Sequence, residues 1–216
     1  MPPHLEERTV AGLHDFLERE IIDLPRSTAI LDLGCGSGAW LARLRSRGYE
    51  DLWGIDAGAQ PQVKGLSFIQ ANLDYDRPRI EKRFGLITLI EVIEHLENPG
   101  AALRLISEHL SDDGVALITS PNIHSLRSRL KFMLTGQLAS FDEKGDPTHI
   151  TPVLLSGICK VAAHFGLTIE RCWTYPLRKS LIFGAPIRSA AAMLRLVAPD
   201  PLPGDTLCLR LNRRAR

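Results

Sequence analysis

At 216 residues and a formal net charge of +1, the chain has the size of one domain and lacks the strong positive charge of broad nucleic-acid binders. Its composition, 44% hydrophobic and 24% charged, is that of an ordinary globular protein; no apolar run is long enough to cross a membrane, and the first residues lack a signal peptide's apolar core. The four cysteines show no CxxC spacing, which predicts neither a zinc site nor a disulfide framework and fits a reducing cytoplasm.

The first predicted element is a helix over Glu6–Glu20. After it comes the most informative segment, Ile30–Gly38, in which a short apolar run containing an acid leads into three glycines at alternate positions. Glycine permits positive φ and lets the backbone approach a ligand closely, and a helix starting at Ala39 offers free N–H groups to that ligand. A tight strand-to-helix turn would need only one glycine, so the segment predicts a nucleotide-type cofactor loop.

A second acid, Asp56, ends the apolar run Leu52–Asp56. At the tip of a second strand such a carboxylate can accept two hydrogen bonds from a ribose diol, and helix capping is the alternative role. The glycine spacing, D-x-G-x-G-x-G, is tighter than the G-x-G-x-x-G of dinucleotide-binding loops. An NAD-dependent oxidoreductase is therefore disfavoured.

Apolar runs of strand length alternate with helical patterns along the rest of the chain. This alternation predicts an α/β fold: a Rossmann-like, seven-stranded, mostly parallel sheet with helices on both faces and an inserted lid after the fifth strand. The expected strands are Ala29–Leu33, Leu52–Asp56, Ser67–Gln70, Leu86–Ile90, Val115–Thr119, Thr168–Trp173 and Leu207–Leu211. The further expected helices are Ala39–Arg47, Ala101–His109 and Val153–His164. Ligands of such sheets bind beyond the carboxyl ends of the strands, where the motifs above fall.

The segment from about Ile30 to Cys172 resembles the class I S-adenosylmethionine-dependent methyltransferases, and in particular the ubiquinone-pathway O-methyltransferase group. The resemblance implies that S-adenosyl-L-methionine is the cofactor and that residues 1–26 form an N-terminal helical cover beside it. Asn72 stands where many relatives have Asp, and we expect its amide oxygen to accept a hydrogen bond from the adenine amino group. The cofactor-binding residues that the resemblance implies are Asp32, Gly34, Cys35, Gly36, Gly38, Asp56, Ala57, Asn72, Leu73 and Glu91.

Two segments interrupt the alternation. Residues 122–152 carry apolar residues at helical spacing and then a loop rich in Gly, Asp and Ser. Methyltransferases carry elements that close over the acceptor at this position, and an extra helix packed on the sheet is the alternative. Residues 177–204 form a hydrophobic C-terminal insert around Leu181–Val197, which is too short and too charged to span a bilayer. An apolar acceptor pocket, peripheral membrane contact, a dimer contact and ordinary packing all stay open for it.

Candidate catalytic residues follow the fourth strand, where Glu91, Glu94 and His95 would share one face of a helical exit turn. The Glu-x-x-Glu-His tract resembles two methyltransferase branches that use a divalent metal there, the ubiquinone-pathway O-methyltransferases and the small-RNA 2′-O-methyltransferases. In the RNA-modifying branch a further histidine after the fifth strand completes the site, and His149 would take that role here. The resemblance thus implies four metal ligands, and imidazole favours Mn²⁺, Zn²⁺ or Fe²⁺ over Mg²⁺. The four are Glu91, Glu94, His95 and His149.

Two alternatives to a metal site stay open. In the first, His95 orients the acceptor or acts as a base without a metal, with Glu94 and His149 as the other candidate catalytic residues. In the second, the acidic and imidazole groups have structural roles only. The remaining histidines are expected to be structural or surface residues, and they are His4, His14, His109, His124 and His164.

Taken together, the motifs predict an S-adenosylmethionine-dependent methyltransferase that methylates an oxygen of a small-molecule or lipid-linked acceptor. One alternative is a non-catalytic regulatory module that binds the cofactor and a partner. Another is an enzyme like the small-RNA 2′-O-methyltransferases, against which the near-neutral charge argues. We expect a cytoplasmic protein, with peripheral membrane contact and the oligomeric state left open.

Overall fold

Seven strands form one sheet in a computed structural model that describes residues 5–176 and 202–214. The strands are β1 (Ile30–Leu33), β2 (Leu52–Asp56), β3 (Ser67–Gln70), β4 (Phe84–Ile90), β5 (Leu110–Pro121), β6 (Leu167–Tyr175) and β7 (Thr206–Arg213). Their order is β3-β2-β1-β4-β5-β7-β6, with β1 to β5 parallel and β7 antiparallel to both of its neighbours. All seven expected strands are confirmed, and the mostly parallel sheet has one antiparallel hairpin at its edge.

Five helices and one short 3-10 turn accompany the sheet in the described ranges. They are α1 (Leu13–Glu20), α2 (Ala39–Ser46), the 3-10 turn Ile93–His95, α3 (Pro99–His109), α4 (Leu126–Thr135) and α5 (Leu155–His164). One hydrophobic cluster joins α3 and α5 to the sheet, and a second joins α1 and α2 to it. Because both faces are covered, all four residues of β1 are buried, as expected of a central parallel strand.

The N-terminal segment differs from the prediction of a helix over Glu6–Glu20, because α1 begins only at Leu13. Gly12 precedes α1 in the left-handed region, with φ +80°, and a Cβ there would lie 2.5 Å from the Tyr175 hydroxyl oxygen. The chain before Gly12 is non-helical, and the Ser37 hydroxyl donates a hydrogen bond of 3.0 Å to the Glu6 carbonyl. The predicted cover is therefore an irregular strap with a short helix behind it.

The insert after β5 contains the helix that its apolar spacing predicted. Ser125 caps α4 by accepting a hydrogen bond of 3.2 Å from the Ser128 N–H. The loop after α4 returns to the sheet, where the N–H groups of Ile150 and Thr151 donate to the Glu94 carbonyl at 3.0 and 2.9 Å. Within the insert, the ammonium group of Lys131 in α4 pairs with the carboxylate of Asp142 in the following loop. The insert is thus tied to the β4 exit turn by backbone hydrogen bonds.

The hydrophobic C-terminal insert predicted over residues 177–204 lies outside the described residues, except for its last three positions. Its four alternative roles stay predictions. Within residues 5–176 and 202–214, no helix is long and apolar enough to cross a membrane.

Candidate active site

A cleft of about 640 Å³ opens at the carboxyl ends of β1 and β4. One end is lined by the glycine loop, including Gly34 and Gly36, and the other by Glu94, His95 and His149. The strap of residues 6–10 lines the remaining side. Open parallel sheets bind their ligands at this edge, so one continuous space joins the predicted cofactor loop to the predicted catalytic residues.

Two positions of the loop, Gly34 and Gly36, require glycine for different structural reasons. Gly34 has φ +74°, and a Cβ there would lie 2.5 Å from Val92 Cγ2, so a side chain would collide with the protein itself. Gly36 has φ +49°, and a Cβ there would meet nothing within 4 Å because its surroundings are the open cleft. Gly34 therefore allows the loop to pack against the Val92 side chain, whereas the absence of a side chain at Gly36 leaves space for a ligand.

Asp56 contacts the glycine loop directly. Its Oδ2 accepts a hydrogen bond of 2.8 Å from the Gly36 N–H, and its Oδ1 accepts one of 2.8 Å from the Gly58 N–H. The carboxylate thereby connects the end of β2 to the loop. Since each carboxylate oxygen has a second lone pair, these contacts leave Asp56 able to accept from ribose hydroxyls, which stays a prediction.

The residues predicted to lie near adenine differ in their surroundings. The Asn72 Oδ1 already accepts a hydrogen bond of 2.9 Å from the Asp74 N–H. Leu73 is buried in the hydrophobic core, and Ala57 is exposed. Asn72 therefore stabilises its own turn through this oxygen, and because the oxygen has a second lone pair, the contact with the adenine amino group stays a prediction.

Asp32 is buried at the end of the cleft nearest the loop, where the Thr88 hydroxyl donates a hydrogen bond of 2.6 Å to its Oδ1. Burial raises the pKa of Asp32 to about 7, against an ordinary value of 3.8, and the neighbouring Asp56 charge adds to the rise. Ionisation of Asp32 at neutral pH therefore opposes folding.

We expect the Asp32→Asn variant to remove a pH dependence of stability in the ligand-free protein. Because the folded state binds the Asp32 proton more tightly than the unfolded state, wild-type stability is highest below about pH 4 for this group and falls as the pH rises to about 7. The Asn side chain keeps an acceptor for Thr88, so the variant should gain up to about 4 kcal/mol over wild type across that range. Urea unfolding of both proteins at a series of pH values measures this difference in the free energy of unfolding. A difference that stays constant with pH would contradict the raised pKa of Asp32.

The exit turn after β4 is not the helical turn that the sequence predicted. Only Ile93–His95 forms a 3-10 turn, and Glu91 lies before it with φ +51° and its N–H donating to the Thr119 hydroxyl at 3.0 Å. Glu91 and His95 therefore do not share a helical face, because a helical exit turn was the condition for it and that condition is not met. The cause is the left-handed backbone at Glu91, which turns the chain before the 3-10 turn begins.

Glu94 is buried and Glu91, just before the turn, is partly buried, and both carboxyl groups are poorly compensated. Among the described residues, Glu91 Oε1 and both carboxylate oxygens of Glu94 lack hydrogen-bond partners. Burial raises the pKa of Glu91 to about 7, and burial together with the nearby Glu91 charge raises the pKa of Glu94 to about 9. A buried carboxylate in this state needs either a proton or a cation.

Three of the predicted residues converge into a Glu–His–His cluster, formed by Glu94, His95 and His149. One ligand atom from each lies within 4.8 Å of the other two, and the two imidazole rings are 4.8 Å apart between centroids. Glu91 lines the same cleft but is not part of this group, and its role as a fourth metal ligand stays a prediction. The left-handed backbone at Glu91 accounts for its separation from the group.

Both imidazoles of the cluster use Nδ1 in hydrogen bonds with the insert. His95 Nδ1 lies 2.8 Å from the Thr148 hydroxyl and 3.2 Å from the Thr148 carbonyl, and His149 Nδ1 lies 2.8 Å from the Ser140 carbonyl. Within the described part of the chain, neither Nε2 has a hydrogen bond. The cluster thus offers one carboxylate and two imidazole nitrogens to a ligand.

Sequence reasoning missed several residues of the cleft. His14, expected to be structural or surface, is buried beside the cleft, 5.3 Å from the Trp40 ring and 3.4 Å from a Glu7 oxygen. Only its position on the predicted cover could have indicated this placement. His124 is structural as expected, because its Nε2 accepts a hydrogen bond of 3.1 Å from Leu155 N–H at the start of α5. Asp146 and Thr148 also line the cleft.

Comparison with known proteins gives consistent results. Residues 4–171 match the model of a methyltransferase domain. The ubiquinone biosynthesis O-methyltransferase of Neisseria meningitidis serogroup C is 27% identical over 154 residues, which cover 63% of this chain and 63% of that protein. Its counterpart in Rickettsia typhi is 32% identical over 101 residues, 43% of this chain and 41% of that protein. The match therefore spans less than two thirds of these relatives' length.

Solved structures share the fold at lower sequence identity. A SAM-dependent methyltransferase from Archaeoglobus fulgidus superposes with a TM-score of 0.64 at 18% identity, covering 93% of both chains. A TehB-like SAM-dependent methyltransferase from Corynebacterium glutamicum gives a TM-score of 0.60 at 18% identity, covering 95% of this chain and 89% of that one. At these identities the likeness concerns the fold alone.

Proposed function

This chain belongs to the class I S-adenosylmethionine-dependent methyltransferases, and from that premise we propose that it methylates a hydroxyl oxygen of a small-molecule acceptor with a divalent metal held by the Glu–His–His cluster. The observation that carries the proposal is the single cleft of about 640 Å³, which joins the glycine loop to Glu94, His95 and His149. A methyl donor on the loop and an acceptor at the cluster would share one space. The name of the Neisseria relative, an O-methyltransferase, supports oxygen as the methylated atom.

The reaction requires little covalent chemistry from the protein. The acceptor oxygen attacks the sulfonium methyl group in line, the carbon–sulfur bond breaks, and its electron pair stays on sulfur as S-adenosylhomocysteine. The acceptor proton leaves to a base or to solvent. Because the sulfonium supplies the reactivity, the protein's contribution is to position the two reactants and assist the loss of that proton.

The donor set of the cluster fits a divalent metal. Glu94 presents two buried oxygens with no partner among the described residues, and the Nε2 atoms of His95 and His149 are unoccupied by hydrogen bonds there. One carboxylate with two imidazoles suits Mn²⁺, Zn²⁺ or Fe²⁺ better than Mg²⁺. When bound, such a metal would orient the acceptor oxygen and favour its deprotonation.

The chain's own residues prepare this site. The Glu94 carbonyl accepts hydrogen bonds from the N–H groups of Ile150 and Thr151, so the acid is held against the insert that supplies His149. Insert and exit turn together exclude water from Glu94, which is fully buried. Without a cation, its raised pKa of about 9 keeps that carboxyl protonated at neutral pH.

The proposal is tested by methyl transfer from S-adenosylmethionine, measured as S-adenosylhomocysteine released, in chelator-treated protein with and without Mn²⁺, Zn²⁺ or Mg²⁺. The acceptors are a catechol, a simple phenol, an aliphatic alcohol, a long-chain alkyl catechol in detergent micelles and a short single-stranded RNA. We expect a hydroxylated small molecule to be methylated, with Mn²⁺ or Zn²⁺ more effective than Mg²⁺.

Undiminished turnover in the chelated protein would contradict the metal and leave His95 Nε2 as the candidate base. Methylation of RNA alone would instead identify a 2′-hydroxyl acceptor. If only the micellar catechol reacts, the acceptor is lipid-linked. An absence of transfer to any acceptor, in a protein that binds S-adenosylhomocysteine, would favour the non-catalytic alternative.

A further inference from the structure

We propose that Thr148 and Asp146 are positioning residues, which hold His95 in the tautomer that carries its proton on Nδ1 and presents the Nε2 lone pair to the Glu–His–His cluster. The inference rests on the proposed function for its purpose, because a free Nε2 matters only if the cluster binds something. Its geometric basis is independent of the metal. It concerns three side chains of this protein and the hydrogen bonds between them.

The first step is the direction of the Thr148 hydroxyl proton. Thr148 Oγ1 lies 2.6 Å from Asp146 Oδ1, and the Thr148 N–H donates to the same oxygen at 2.8 Å. Asp146 is exposed, and an exposed aspartate is ionised at neutral pH and can only accept. The single proton of the Thr148 hydroxyl therefore points to Asp146.

The second step concerns His95. With its proton committed to Asp146, the Thr148 hydroxyl presents a lone pair to His95 Nδ1 at 2.8 Å. The Thr148 carbonyl, 3.2 Å from the same nitrogen, is also only an acceptor. Two acceptors facing one ring nitrogen require that nitrogen to carry the proton. In the neutral imidazole, Nε2 is then unprotonated.

The insert also provides a hydrogen-bond acceptor for the second imidazole, that of His149. His149 Nδ1 faces the Ser140 carbonyl at 2.8 Å, which again requires a proton on Nδ1 and frees Nε2. The loop from Ser140 to His149 thus supplies one member of the cluster and sets the tautomer of both imidazoles. Hydrogen-bond partners of this kind orient metal-binding histidines, and removing one typically lowers metal affinity about 10- to 100-fold.

The tautomer is measured by two-bond ¹⁵N–¹H correlation NMR on protein labelled at histidine, at about pH 8, above the ordinary histidine pKa of about 6.5. The His95 signal is assigned by its loss in His95→Gln. We expect a single Nδ1–H tautomer for His95 in wild type. In Asp146→Ala the Thr148 hydroxyl is free to donate to Nδ1, so we expect a shift toward the Nε2–H tautomer; an Nε2–H tautomer in wild type would overturn the inference.

Metal affinity gives the second readout, using Zn²⁺ alone in calorimetric titrations. We expect Thr148→Val to lower Zn²⁺ affinity about 10- to 100-fold, and Thr148→Ser, which restores the hydroxyl, to recover it. Thr135→Val is the matched control and should bind Zn²⁺ as wild type does, since it removes an exposed hydroxyl of the same insert that donates to the Lys131 carbonyl at 2.7 Å instead of contacting a histidine. Equal Zn²⁺ affinities for wild type and Thr148→Val would overturn the inference.

The two readouts also separate this inference from the proposed function. Suppose that wild-type His95 has the Nδ1–H tautomer, that Asp146→Ala shifts it toward Nε2–H, and that the protein binds no Zn²⁺. The proposed metal site is then wrong, and the positioning role of Thr148 and Asp146 is supported. If wild type binds Zn²⁺ but His95 has the Nε2–H tautomer, the metal stands and the positioning inference fails.

Discussion

The His149→Ala variant should lose methyl transfer while binding S-adenosylhomocysteine as tightly as wild type. His149 belongs to the Glu–His–His cluster, at the opposite end of the cleft from the glycine loop. Its removal takes one of two imidazoles from the acceptor end and leaves the loop intact. We expect kcat to fall about 10²- to 10⁴-fold, the range for removal of a group that handles a proton or holds the reacting oxygen. Steady-state kinetics with the preferred acceptor, together with calorimetric titration, measure both quantities.

The matched control is His164→Ala, which removes an exposed histidine at the end of α5 and does not touch the cleft. It should behave as wild type in both measurements. If His149→Ala turns over at the wild-type rate, the cluster has no catalytic role. If it loses S-adenosylhomocysteine affinity as well as turnover, His149 acts through cofactor binding, and the proposed division of the cleft is wrong.

The second large effect is expected from Gly36→Ala, which should strongly weaken cofactor binding in a folded protein. The added methyl group would meet no protein atom within 4 Å and would stand in the cleft instead. The left-handed backbone, φ +49°, costs an alanine about 1 to 2 kcal/mol of stability. We expect S-adenosylhomocysteine affinity to fall about 100-fold or more, equivalent to about 2.7 kcal/mol.

Gly48→Ala provides the control for backbone strain. Gly48 has φ +90°, and a Cβ there would also meet nothing within 4 Å, but this glycine follows α2 and is not part of the cleft. The variant should lose similar stability and keep full S-adenosylhomocysteine affinity. Thermal unfolding and calorimetric titration of both variants separate strain from obstruction. Wild-type affinity in Gly36→Ala would mean that the cofactor does not lie against this loop.

Much of the sheet and of the cofactor loop was predictable from local sequence. The strands β1 and β4 are mostly apolar because residues on both of their faces are buried, and such runs can be recognised without any tertiary information. The glycine loop was recognisable for a similar reason, because positive φ at Gly34 and Gly36 is a local backbone requirement.

The structure differed from the predicted elements at positions that hydrophobic periodicity does not describe. The start of α1 is set at Gly12, next to the Tyr175 hydroxyl, a contact between residues at opposite ends of the described chain. Glu91 leaves the shared face because the backbone takes a left-handed conformation between β4 and the 3-10 turn. None of these outcomes changes the hydrophobic pattern from which the elements were predicted.

Sequence alone therefore determined the α/β fold, the order in which strands and helices follow one another, and the glycine loop at the carboxyl edge of the sheet. These features depend on hydrophobic periodicity and on backbone preferences within a few residues. The family resemblance implied that Glu94 and His95 share a site with His149, but only the tertiary structure decided the distances within that group and placed Thr148 against the His95 ring. Those distances depend on how the insert packs against the β4 exit turn, where the Glu94 carbonyl accepts two backbone hydrogen bonds from residues more than fifty positions away.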